Sequence, residues 1–130
     1  SPAIIAPDYP IATAAARLVA GKFLNAGQTC IAPDYILAPS EQIPALTAAI
    51  EKELRERYPS LQSSADYTTV ATDRHFARLQ NMVAEAQAGG AQIIEVNPAK
   101  ETLDPAKRIL PPTLVLNPPA QSKLMSEEIF

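Results

Sequence analysis

Short apolar runs alternate with longer stretches of helical period along most of this chain, and that alternation limits the folds open to it. "PAIIA" (2–6) is a strand-sized apolar run that ends at Pro7 and Pro10. "IATAAARLVAGKFLN" follows, with Ile11, Ala15, Leu18, Val19 and Phe23 at helical spacing and many alanines, so a helix is predicted over about 11–25. Asn25 and Gly27 are suitable stop residues. "PDYILA" (33–38) reads as a second strand. Ser40 is placed to cap the next helix, whose stripe is Ile43, Leu46, Ile50, Leu54 and Tyr58, with Pro44 tolerable in its first turn. The run "EKELRER" then forms the solvated face of that helix.

The second half repeats the pattern. After a polar loop near 60–70, Thr72-Asp73 starts a third helix with Phe76, Leu79, Val83 and Ala86 on one face, and Gly89-Gly90 ends it. "AQIIEV" (91–96) and "TLVLN" (113–117) read as strands, separated by a Pro-, Lys- and Glu-rich loop over 97–112. Pro118-Pro119 stops the last strand. Strands alternating with helices predict an α/β fold, an open, mostly parallel twisted sheet with flanking helices.

Composition excludes several functions. With 130 residues, 47% hydrophobic and 19% charged, the chain can bury a core as one globular unit. Apolar runs fall far short of the roughly 18 residues a membrane span needs, so no membrane partner is evident. A net charge of -3 gives no attraction to nucleic acid. One cysteine forms no internal disulfide and no cysteine metal cluster, no metal site is discernible, and a reducing cytoplasm fits. The chain opens on Ser1-Pro2 directly before a strand and closes on "SEEIF" without a turn residue, which predicts a piece cut at both ends.

Cys30 is the residue that most needs explaining. A lone cysteine is commonly a small buried hydrophobe. This one lies in a loop past a helix stop and before a strand, three residues after Gly27. Loops held by rigid elements are where catalysis concentrates, and the backbone there is free to approach a ligand. A thiol acts as a nucleophile only when activated, and the sole histidine is 45 positions away.

The stretch "FLNAGQTCIAPDYIL" resembles the cysteine active-site signature of the aldehyde dehydrogenase superfamily. That signature runs aromatic, three residues, Gly-Gln, one residue, Cys, and Phe23, Gly27, Gln28 and Cys30 match it. Ser1-Pro2 is similar to the end of the family's Glu-Leu-Gly-Gly-Lys-Ser-Pro motif, and the closing "EEIF" to the start of Glu-Glu-Ile-Phe-Gly-Pro. "APDYIL" and "DRHFARL" look closest to the class-3-type branch. "AKRILPPTLVL" is similar to bacterial coniferyl aldehyde dehydrogenases.

The resemblance implies a function. Cys30 would attack an aldehyde, coniferyl or another aromatic or long-chain one, and form a thiohemiacetal. Hydride would pass to NAD or NADP, leaving a thioester for water to release as the acid. The Cys30 amide would serve as one oxyanion donor. Glu128 would hold the nicotinamide ribose hydroxyls, Phe130 would pack beside the nicotinamide, and His75 and Arg78 would lie near the cofactor. Residue by residue, the plainer alternatives are two exposed acids, a frayed aromatic and a solvated helix start. The family's general base and its oxyanion asparagine have no counterpart here. The resemblance therefore implies a catalytic-domain part over 1–130 without the dinucleotide-binding and oligomerisation regions, from a homo-oligomeric parent. An acylating, coenzyme A-dependent relative, a cysteine hydrolase or acyltransferase, and a non-catalytic module are the rival readings.

Overall fold

The computed structural model describes all 130 residues, Ser1–Phe130. The first unit is a strand, a helix and a strand: β1 (Pro2–Ile4), α1 (Ile11–Phe23) and β2 (Tyr35–Leu37). The helical crossover brings the two strands side by side in parallel, with Pro2 opposite Tyr35 and Ile4 opposite Leu37. The chain then enters α2 (Ile43–Arg57) through a 3₁₀ turn, Ser40–Gln42. Ser40 does not cap the helix as expected, because it is the first residue of that turn and its hydroxyl points to Glu41.

Helix α3 (Asp73–Ala88) begins where the sequence predicts. The Thr72 hydroxyl accepts the His75 N–H at 3.1 Å, satisfying a donor that the first helical turn leaves free. Phe76, Leu79, Met82 and Ala86 are its buried stripe, so Met82 takes the place expected of Val83, which is only half-buried. β3 (Gln92–Glu95) and β4 (Thr113–Leu116) follow, then one further turn of helix, α4 (Lys123–Ser126). Gly89 passes so close to Pro119 that an added Cβ would lie 2.5 Å from its ring.

The α/β expectation holds. Its sheet comes as two strand pairs, β1–β2 parallel and β3–β4 antiparallel. The reason lies in the connections: β3 and β4 are joined by an irregular loop, whereas parallel pairing requires a crossover such as α1.

Two apolar clusters hold these elements. The larger joins α1 (Ala14, Ala15, Val19) to α2 (Leu46, Ile50, Leu54), with Tyr58, Leu61, Tyr67, Val96 and Ile109. The smaller sits under α3: Val70, Phe76, Leu79 and Met82, with Leu110, Leu124 and Ile129 packed against it. The charged residues of "EKELRER" lie on the solvated side of α2, with Leu54 alone turned into the core, and three Glu–Arg or Glu–Lys pairs there lie four residues apart. Such exposed pairs contribute about 0.3–0.5 kcal/mol each. No helix is long and apolar enough to cross a membrane.

Candidate active site

The cysteine loop is anchored at its start by an aromatic. Phe23, the last residue of α1, packs against the rings of Tyr58 and Tyr67 at centroid distances of 6.1 and 6.5 Å. Tyr67 is itself fixed by a 2.5 Å bond from its hydroxyl to the Leu110 carbonyl, and burial pushes its ionisation well above the usual tyrosine range. Past Phe23 the chain makes a tight turn, Leu24–Gly27, and Gly27 closes it at φ +77°. A Cβ at Gly27 would stand 3.0 Å from the Lys22 carbonyl oxygen, so the position favours glycine twice, by conformation and by space.

Cys30 follows and is exposed, so the buried-hydrophobe alternative does not hold. Its carbonyl accepts the Ser1 hydroxyl at 3.2 Å. Its N–H makes no hydrogen bond within the chain, which leaves a donor beside the thiol for an incoming oxygen. The neighbouring Ile31 is 77% exposed and adds apolar surface there. Just beyond, Asp34 accepts the Lys22 ammonium at 3.0 Å.

The closing segment, Glu127–Phe130, lies against α3. Arg78 donates to the Ile129 carbonyl at 3.0 Å and to the Glu128 carbonyl, and its guanidinium is 3.8 Å from the Glu127 carboxylate. His75 Nε2 donates to the Phe130 carbonyl at 2.6 Å. Below these bonds Ile129 packs on the α3 cluster. The Glu128 side chain is exposed and makes no bond within the chain, and Phe130 is 44% exposed.

The structure thus brings His75, Arg78, Glu128 and Phe130 together on one helix face and its neighbour. It places Cys30 on a separate loop tied to the residues just before α3. His75 Nε2 and both terminal nitrogens of Arg78 are spent on the main chain of the closing segment, while the Glu128 carboxylate is free to accept two hydroxyls. That acceptor pair fits the diol of a ribose. The signature includes Gln28 without giving it a task, Asn25 stands out in the sequence only as a helix stop, and Arg108 does not stand out at all, yet all three shape this region. The spacing of Asn25 and Gln28 around Gly27 was the available signal.

The profile described as the aldehyde dehydrogenase family matches residues 1–130. A probable coniferyl aldehyde dehydrogenase of Caulobacter vibrioides is 45% identical over the whole chain, which covers 27% of that protein. The dimeric NADP-preferring aldehyde dehydrogenase of Rattus norvegicus is 33% identical, again over all of this chain and 27% of the relative. A substrate-bound Staphylococcus aureus AldH structure superposes with a TM-score of 0.86 at 36% identity, over 99% of this chain and 27% of that one. The chain therefore spans about a quarter of the length of the relatives it matches. A signature loop with an exposed thiol and a family match from the first residue to the last have one common conclusion: this chain belongs to the aldehyde dehydrogenase family.

Proposed function

We propose that the protein carrying this chain oxidises an aldehyde to the carboxylic acid with NAD or NADP, and that Cys30 is its nucleophile. Residues 1–130 are the cysteine-bearing part of the catalytic domain, and the dinucleotide-binding and oligomerisation regions lie elsewhere in the protein. The carrying observation is the geometry of Cys30: an exposed thiol whose own N–H has no partner in the chain, directly after a braced turn.

The Cys30 thiolate attacks the carbonyl carbon, a C–S bond forms, and the π electrons move onto oxygen. The free Cys30 N–H donates to that oxyanion. When the C=O bond re-forms, the C–H bond breaks and its electron pair leaves as hydride. Bound NAD(P)⁺ supplies the hydride acceptor. Water then adds to the thioester, the C–S bond breaks, the acid leaves and the thiol is restored. Covalent attachment splits the oxidation into two easier steps.

Glu128 would hold the ribose hydroxyls and Phe130 would pack beside the nicotinamide. His75 and Arg78 serve the cofactor by holding the segment that carries both. The coniferyl relative favours an aromatic aldehyde, and the exposed Ile31 offers apolar contact to one. The rat relative's name favours a dimeric parent, and a single free thiol suits the cytoplasm.

Two experiments test this. In the full-length protein, Cys30→Ser should lower aldehyde-dependent NAD(P)H formation by at least about 1,000-fold. Turnover within tenfold of the parent would overturn the assignment. Residues 1–130 expressed alone should form no NAD(P)H above a Cys30→Ala control, and turnover by that piece would refute the domain assignment.

A further inference from the structure

The turn before Cys30 is left-handed over three consecutive residues, Asn25 (φ +54°), Ala26 (φ +54°) and Gly27 (φ +77°). Gly27 adopts this freely and an asparagine tolerates it, but Ala26 has no such latitude. For an L-residue with a Cβ the conformation costs roughly 1–2 kcal/mol. Strain of this kind persists only where the surroundings over-determine it.

Gln28 supplies that determination. Its backbone N–H donates to the Asn25 carbonyl at 3.1 Å, and its carbonyl accepts the Asn25 amide at 3.3 Å. Its side-chain Nε2 donates twice, to the Asn25 carbonyl at 3.1 Å and to the Thr69 carbonyl at 3.0 Å. Its Oε1 accepts the Ala71 N–H at 2.8 Å. One amide thus closes the turn and fastens it to a strip of chain more than forty residues away.

The strip is held from its other side by Arg108. Val70 N–H donates to the Arg108 carbonyl at 2.9 Å, and Arg108 Nε returns a bond to the Val70 carbonyl at 2.9 Å. Arg108 Nη1 also reaches Asp73 at 3.0 Å, in the first turn of α3. Successive polar groups of the strip therefore alternate, with Thr69 and Ala71 toward Gln28 and Val70 toward Arg108.

We propose that Gln28 is a positioning residue for Cys30: its amide braces the left-handed turn against the Thr69–Ala71 strip and so sets where the Cys30 thiol and N–H face. The proposal rests on the reading of Cys30 as the nucleophile. Cys30 is only two residues past Gln28, so a turn that relaxes to right-handed backbone swings both of its reacting groups.

The test uses the full-length protein with Gln28→Met, which keeps length and removes the amide. Misplacement by about 1 Å can cost about 100-fold, so kcat should fall about 10- to 100-fold. The KM for NAD(P) should stay within about threefold, since uniform cofactor binding is untouched. The rate of Cys30 alkylation by iodoacetamide should change in the folded protein. Adding Ala26→Gly should recover much of the lost kcat, because glycine takes the left-handed conformation without a brace. A lower melting temperature with unchanged kcat and alkylation would overturn the proposal, leaving Gln28 as a stability residue. Loss of kcat that Ala26→Gly does not relieve would overturn it too. Should Gln28→Met not fold, Gln28→Asn carries the same readouts, since its shorter amide cannot span turn and strip together. An active Cys30→Ser protein would show instead that the nucleophile assignment had failed.

Discussion

The cysteine loop and the closing segment both lean on the region around α3, and they are fixed by opposite means. The loop is shaped by its own backbone. Three left-handed residues, the last a glycine with little room for a Cβ, set its course, and one amide pins it. The closing segment has no such internal form. Its main-chain carbonyls are held by two long side chains, His75 and Arg78, and its half-buried Ile129 packs on the α3 cluster. Cys30, the proposed nucleophile, thus follows a turn formed by its neighbouring backbone and pinned by one side chain, while Glu128, the proposed cofactor carboxylate, sits on a segment held in place by a helix. Damage to one end should leave the other intact, and the following substitutions can break or sharpen that separation.

Arg78→Met should have the largest effect at the cofactor end. It removes two carbonyl bonds and a carboxylate contact, and bonds to charged groups are worth about 1.5–3 kcal/mol when buried, less here because Arg78 is part-exposed. The KM for NAD(P) in the full-length protein should rise about tenfold or more. Cys30 alkylation by iodoacetamide should proceed at the parent rate, and a parallel loss of thiol reactivity would contradict the separation.

Gly27→Ala probes the other end. The positive φ and the close Lys22 carbonyl should together cost about 1–2 kcal/mol, read as a lower melting temperature with disturbed Cys30 labelling. Cofactor binding by molecules that remain folded should be unaffected. Glu128→Gln follows, since an amide offers one acceptor oxygen where the carboxylate offers two. Cofactor KM should rise or hydride transfer slow by about fivefold, with normal labelling of Cys30. Unchanged cofactor kinetics would make Glu128 a surface acid.

The smallest effect lies away from both ends. Glu101 accepts the Leu61 N–H at 2.7 Å, the Ser60 hydroxyl at 2.7 Å and the Gln62 N–H, and these bonds lower its carboxyl below the ordinary value of 4.5. A folded-state value below the unfolded one stabilises above pH 4.5 and is lost as pH falls through the folded value. Glu101→Gln should flatten the stability curve over that acidic range. It should leave both ends of the site unchanged, which gives a control for the other variants.

Much of this was legible in the sequence where the cause is local. Helical stripes located α1, α2 and α3, and the Thr72 cap and Gly89-Gly90 bounded α3 because their partners lie within a few residues. Phe23, Gly27, Gln28 and Cys30 stood out as a spaced motif. What escaped depends on distant partners. The task of Gln28 is defined by Thr69 and Ala71, and that of Arg108 by Val70 and Asp73. His75 and Arg78 could be placed on one helix face, but nothing in their spacing says that main-chain carbonyls fifty residues on will occupy them. The single turn of α4 is too short to show a period.

The central claim is that Cys30 carries the substrate. The most direct measurement is intact-protein mass spectrometry of the full-length protein, quenched in acid during turnover of coniferyl aldehyde with NAD(P). A mass increase equal to the acyl group should appear, localised by peptide mapping to the peptide containing Cys30, and be absent from Cys30→Ser. Turnover at the full rate with no acyl adduct on that peptide, or with an adduct on another residue, would contradict the account.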